Sequence, residues 1–200
     1  MKTKDKILET ALELFNTSNT QAATTNHIAA AMGISPGNLH YHYKNREEII
    51  FSLYERMFDE LFPDTSYIPQ TLQELNEQHK KFALISWKYR FFYRELLFLL
   101  SRDERLKERF KTDNLAYKKR IEIMLLDFHN KGWMHLPLDN MILHLSDTIL
   151  MFLQFWHPFL ESIGEEMNEY NIQGGLRRIE GTLRSFLSPE GLRLLAKIES

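Results

Sequence analysis

Cysteine is absent from the 200 residues of the chain. That excludes disulfides, thiolate metal sites, cysteine nucleophiles and thiol-based sensing. It also agrees with a reducing, cytoplasmic setting. With only 8 Gly and 6 Pro, regular structure has few interruptions. No apolar run approaches the roughly 18 residues that a membrane span needs, so no membrane segment is expected. Residues 1–6 are polar and lead into no apolar stretch of the kind an export signal carries. Neither sign of charge dominates: 25 Lys+Arg stand against 27 Asp+Glu, a formal net charge of -2. Taken alone, that balance argues against coating nucleic acid by bulk charge. A last scarcity is local. Residues 14–46 contain no Asp or Glu, while the window holds Lys44, Arg46, three His, two Tyr and many small hydroxyl and amide side chains.

What is present is helical periodicity almost throughout, which predicts an all-α fold. Apolar residues make up 44% of the chain, ample for a core. Ile7, Leu8, Ala11, Leu14 and Phe15 form the stripe of an amphipathic helix over 3–16. Thr24 or Thr25 can cap a second helix that Gly33 ends. Ser35 followed by Pro36 marks the start of a third, running to about residue 41. Asn45 can cap a fourth, with Glu47 and Glu48 in its first turn favoured by the helix dipole. Residues 63–69 are a break. Longer helices are expected beyond it over 71–89, 91–101, 102–130, 139–162 (capped by Asp139, and bent or ended by Pro158) and 165–187. A short piece follows Pro189. The reading is a helix-turn-helix head over 1–50 and a larger bundle over 51–200.

Residues 28–42 carry the sharpest signal. Ile28, Ala29, Met32, Gly33, Ile34 and Leu39 have the spacing of a helix-turn-helix. Ala29 lets two helices approach, Gly33 closes the first of them, and Ile34 and Leu39 fill the angle between them. The second helix then presents Ser35, Pro36, Gly37, Asn38, His40, Tyr41 and His42, and in such a motif this end enters the major groove. Asn38 is the best candidate for reading a base, because an amide pairs bidentately with adenine. The alternative is a solvated surface Asn. Tyr41 reads equally as a phosphate contact or as half-buried packing, and Tyr43 as core. His40 and His42 point about 200° apart on a helix, so they cannot share a metal ion. Neither metal nor cofactor is expected.

These residues resemble the TetR family of bacterial transcriptional regulators. The resemblance covers about the first 50 residues. It rests on the Thr24-Thr25 helix start, Gly33-Ile34-Ser35, Gly37-Asn38-Leu39, the aromatic run after it, and the Arg46-Glu47-Glu48 opening of the fourth helix. His40 and Tyr43 depart from it, where the family usually has Tyr and Phe. The resemblance implies phosphate contacts from Thr25, Ser35, Tyr41, His42 and Arg46, with Thr24 and Lys44 also on the DNA-binding surface. Pro36, Gly37, Asn38 and His40 would then face base edges. It also implies a homodimer on a double-stranded operator with palindromic half-sites, and a small-molecule effector bound in the bundle.

For the effector site the sequence offers two aromatic clusters with polar neighbours: Trp87, Phe91, Phe92, Trp133, His144, Asp147, Phe152 and Trp156. The alternative is that these side chains only fill the core. Ile172, Leu176, Ile179, Leu183 and Phe186 form a heptad-like seam that faces either a second copy or the chain's own bundle. A ligand-responsive repressor is the function expected. The others weighed are an activator of the same fold and a helical interaction or carrier protein. No triad, metal-ligand spacing or phosphate loop suggests an enzyme.

Overall fold

The first helix, α1 (Thr3–Thr17), buries Ile7, Leu8, Ala11, Leu12 and Phe15, one face of its amphipathic stripe. In this computed structural model, residues 2–137 and 140–199 are described. Three short or medium helices follow: α2 (Thr25–Ala31), α3 (Pro36–His42) and α4 (Arg46–Leu61). Then come α5 (Leu72–Lys88), α6 (Arg90–Arg94), α7 (Leu96–Arg102), α8 (Glu104–Asn130), α9 (Met141–Ser162), α10 (Glu169–Arg184) and α11 (Pro189–Glu199). The described residues form no strand, only an isolated bridge between Met134 and Leu187.

The boundaries differ from expectation at three places. The helix expected over 91–101 is two, because Glu95 leaves helical geometry (φ -106, ψ 14) between α6 and α7. Helix α10 starts at Glu169, after Asn168 accepts a hydrogen bond from the Asn171 N–H, and not at 165. Pro158 does not end α9, which runs four residues past it to Ser162. A proline one turn from a helix end removes a single internal bond. Asp139, the expected cap of α9, lies outside the described residues.

The chain forms two compact units. The first comprises residues up to Pro63 together with 88–108, so it holds α1 to α4, α6, α7 and the first turn of α8. The 1–50 segment thus packs in one unit with the rest of α4 and with a stretch some forty residues further on. Phe91 and Phe92 are fully buried here. Phe91 lies against Phe15 with ring centroids 5.2 Å apart, and Phe92 stacks on Tyr54 at 5.2 Å. Asn16 ties α1 to the same stretch, donating to the Lys88 carbonyl (2.8 Å) and accepting from the Phe91 N–H (3.1 Å). Glu60 of α4 accepts from Lys88 Nζ (2.8 Å), Tyr89 OH (2.8 Å) and Arg56 Nε (3.2 Å). Burial pushes the Glu60 carboxyl up, but Lys88, Tyr89 and Arg56 outweigh it and hold it below its usual value.

The second unit comprises residues 64–87 and 109–200, and thus most of α5, the rest of α8, and α9 to α11. Its tightest junction joins α9 to α10. Trp156, Leu160 and Ile172 form a buried cluster against which Trp87, Phe152 and Met167 pack. The Trp156 indole N–H donates to the Asn171 carbonyl at 2.8 Å, so the ring is fixed. Its face lies on Gly174 and Gly175: a Cβ placed on Gly175 would sit 2.7 Å from the indole. Gly181, further along the same helix, faces open space.

Substituting Gly175→Ala should therefore destabilise the protein by about 1–3 kcal/mol through overpacking. Gly181→Ala should stabilise it by up to about 1 kcal/mol, from helix propensity alone. Chemical denaturation of both variants checks the pair, and equal effects would contradict the close α9–α10 contact.

Candidate nucleic-acid interface and bundle cavity

Helices α2 and α3 have seven residues each, too few to persist alone. Local chemistry fixes their ends. Thr24 accepts from the His27 N–H at 3.4 Å and opens α2. Gly33 (φ +65) closes it, with its N–H on the Ala30 carbonyl (3.1 Å) and the Ile34 N–H on the Ala29 carbonyl (3.0 Å). This is the left-handed glycine cap, which a β-carbon would strain. Two residues later the Ser35 hydroxyl accepts from the Asn38 N–H at 3.2 Å, and Pro36 occupies the first helical position. Asn45 opens α4 by accepting from the Glu48 N–H at 2.9 Å, and Glu48 in turn accepts from the Lys44 N–H at 2.8 Å. Glu48, two residues past the acid-free window, is thus spent on the backbone at a helix start.

Ile28, Ala29 and Leu39 are buried between the two helices. Ser35, Pro36, Gly37, Asn38, His40, Tyr41 and Lys44 are exposed, Tyr41 to 87%. The side chains of Asn38 and Tyr41 make no hydrogen bond among the described residues. Tyr41 touches only the edge of the His42 ring, centroids 5.2 Å apart. At 87% exposure Tyr41 is not a half-buried packing residue. Tyr43 is buried, at 2%. Thr24 is exposed, and Thr25 and His42 are half-buried.

Arg46 differs from expectation. Its guanidinium donates to the Thr20 carbonyl (2.6 Å) and the Gln21 carbonyl (3.4 Å) and pairs with Glu47 (3.3 Å). It ties the α1–α2 turn to α4. Thr20 is fully buried and held from the other side as well. Its N–H and hydroxyl donate to the Glu95 carboxylate at 3.1 and 2.6 Å. Arg94 donates to Glu95 (3.0 Å) and to the Phe15 and Ser18 carbonyls (2.9 and 2.7 Å). Glu95 lies 75 positions from Thr20, and neither residue belongs to a motif, so no spacing rule points to the pair.

The second unit contains a cavity of about 370 Å³. Leu72, Leu75, Asn76 and His79 of α5, Met124, Leu125 and Phe128 of α8, and Gly181 and Leu183 of α10 line it, with Met134, Leu187 and Leu195. At its rim His79 Nδ1 faces Glu180 Oε1 at 3.5 Å, beside Arg177 and Arg184. His79 first, then Arg177 and Lys80, hold the Glu180 carboxyl below its usual value against its partial burial. None of the eight residues expected at an effector site lines this cavity. Phe91 and Phe92 are core of the first unit, and Trp87, Phe152 and Trp156 belong to the α9–α10 cluster. His144 and Asp147 are exposed and Asp147 pairs with Lys118, not with His144. Trp133 lines an adjoining groove. The cavity is aliphatic, so a search for aromatic clusters passes over it.

The expected dimer seam is also placed otherwise. Ile172, Leu176, Ile179 and Leu183 are buried within the chain and Phe186 is half-buried. Their spacing reports a packed face, and the face is intramolecular. Exposed apolar residues lie instead on α9, where Leu143, Met151, Phe155, Phe159 and Ile163 recur in steps of four, interrupted by Asp147.

An all-helical chain with a capped helix-turn-helix defines a DNA-binding regulator. A family model described as "Bacterial regulatory proteins, tetR family" matches residues 7–53, and one described as "Bacterial transcriptional repressor" matches 53–195. The chain belongs to the TetR family of transcriptional regulators. It is 29% identical to a TetR-family regulator from Marinobacter aquaeolei VT8, whose crystal structure it matches over 100% of this chain and 98% of that one (TM-score 0.86). It is 23% identical over 161 residues to IcaR of Staphylococcus epidermidis, the negative transcriptional regulator of the biofilm operon icaADBC, covering 77% of this chain and 82% of IcaR. The fold is shared with SmeT in its triclosan complex, at 16% identity and TM-score 0.62 over 94% of this chain and 92% of that one. Among the described residues no helix is long and apolar enough to cross a membrane.

Removing the carboxylate in Glu95→Ala should leave buried Thr20 with an unsatisfied N–H and hydroxyl, at a cost of about 1–3 kcal/mol. Hydrogen exchange at the Thr20 amide should speed up before that at the Leu39 amide. Unchanged protection at Thr20 would show that the turn is held by Arg46 alone.

Proposed function

We propose that the protein is a homodimeric repressor that reads a palindromic operator and is released from it by a small molecule bound in the second unit. The observation that carries the reading is the N-terminal end of α3. Asn38 and Tyr41 project into solvent from a rigidly capped helix, in a stretch of chain without acids. Such a surface meets phosphates with hydroxyls, backbone N–H groups and cations, and reads bases with an amide. Thr24, Thr25, Ser35, Tyr41, His42 and Lys44 serve the backbone. Pro36, Gly37, Asn38 and His40 face the bases. Arg46 acts through the turn it holds.

One short reading helix specifies few base pairs, and a twofold partner supplies the second half-site. The exposed α9 ridge of Met151, Phe155, Phe159 and Ile163 is the dimer face in this reading. IcaR is by name a negative regulator, which supports repression, and SmeT was solved with triclosan, which supports a small-molecule effector. The 370 Å³ cavity is the effector site. Release requires that the effector bind the free state more tightly than the operator-bound one.

Operator fragments selected from random DNA should bind with affinity that falls steeply as salt rises. The Asn38→Ala, Tyr41→Ala double variant should lose about 10- to 100-fold in fluorescence anisotropy, the size of one or two lost contacts. Affinity within twofold of the parent would remove α3 as the reading helix.

Phe155→Glu should turn the dimer into a monomer in sedimentation, because a carboxylate on the dimer ridge has no partner to offset its burial. A variant that stays dimeric with unchanged affinity would place the interface elsewhere.

A further inference from the structure

His40 stands exposed in the second turn of α3. Its Nδ1 lies 3.1 Å from the Lys44 carbonyl oxygen, in the turn that leads into α4. A carbonyl oxygen only accepts, so the proton of this bond belongs to the ring. Among the described residues no backbone N–H donates to that carbonyl, which leaves it to the imidazole. The same residue is held on its other side, where the Lys44 N–H donates to the Glu48 carboxylate at 2.8 Å. The turn after α3 is thus fastened from both helices, and the His40 ring is fastened with it.

This bond decides what the rest of the ring offers. A neutral imidazole carries a single N–H. With that proton at Nδ1, the Nε2 atom holds a lone pair directed away from Lys44. Among the described residues Nε2 makes no hydrogen bond, and the ring is open to solvent. On a DNA duplex such an atom has few matches. Phosphate and sugar oxygens accept, so they pair with donors and not with a lone pair. In the major groove the donors are the N6 amino group of adenine and the N4 amino group of cytosine, whereas guanine N7 and O6 and thymine O4 accept. Asn38 lacks this restriction, because an amide both donates and accepts.

We propose that His40 reads a base amino group: in each half-site it favours adenine or cytosine over guanine or thymine at one position of the strand it faces. The Lys44 carbonyl sets this preference by selecting the tautomer. The proposal rests on the reading of α3 as the base-facing helix, and it assigns the polarity of one contact within it.

The tautomer is measured on the free protein. At about pH 8, where an imidazole is neutral, nitrogen NMR shifts of His40 should show a protonated Nδ1 and an unprotonated Nε2. A proton on Nε2 overturns the proposal. Base preference is measured with the full-length protein at the same pH, on a duplex selected from random DNA in which each base pair of a half-site is replaced in turn by the other three. One position should favour adenine or cytosine over guanine and thymine by about three- to tenfold, the size of one neutral hydrogen bond. His40→Ala should flatten that preference and leave those at other positions in place. His40→Arg, whose side chain only donates, should move it to guanine. The site is exposed, and circular dichroism checks that both variants fold. A parent that binds its duplex while His40→Ala keeps the same preference at every position overturns the proposal alone. So does a His40-dependent position that favours guanine or thymine. A parent that selects no duplex overturns the operator reading and the proposal together.

Discussion

Seven-residue helices do not hold themselves, and the head depends on this constraint. Helix α3 persists because Ser35 and Pro36 start it, Leu39 buries it and Gly33 sets the angle at which α2 delivers it. Leu39 faces inward and Gly33 and Ser35 act through the backbone, whereas Pro36 is exposed in the first turn. Among the described residues the side chains of Asn38 and Tyr41 make no hydrogen bond and stand exposed, so they are free to meet something else. Stability and recognition are thus divided between alternate faces of two turns of helix.

The same economy extends to charge. A net charge of -2 averages over unlike regions. Acids are kept out of 14–46, and the first to appear, Glu47 and Glu48, serve Arg46, Asn45 and Lys44 at the start of α4. Glu95 returns to the head from far along the chain, part-buried beside Thr20 and Arg94. An acid there costs the surface nothing, because its charge is satisfied inside. Whole-chain neutrality and a local anion-binding surface are compatible for this reason.

Legibility in the sequence followed the range of the interaction. Caps act over three residues, and Thr24, Ser35 and Asn45 were readable as such. The glycine closing α2 and the buried Leu39 were also readable, since a helix-turn-helix specifies them by spacing. Long-range partners were not. Phe91 and Phe92 belong to an aromatic run that suggests a ligand chamber, but they are taken up by Phe15 and Tyr54, from helices some seventy-five and forty positions upstream. Ile172, Leu176, Ile179 and Leu183 show that one side of α10 is packed, and periodicity carries no mark of what packs it. The cavity was invisible for a complementary reason: a void is set by which side chains fail to meet, and leucines that line it look like leucines that fill a core.

Helix α9 carries the argument from fold to assembly. Leu145, Ile149, Leu153, Trp156 and Leu160 are buried against the chain's own helices, Trp156 so tightly that α10 needs glycine opposite it. Leu143, Met151, Phe155, Phe159 and Ile163 remain outside. Among the described residues α9 thus keeps an apolar face that the chain's own helices leave exposed. In the dimer proposed above, a second copy of α9 related by a twofold axis presents a matching ridge in steps of four. In that proposal the same symmetry would set two copies of α3 on two half-sites, so the exposed apolar face of α9 and the shortness of α3 are met by one partner.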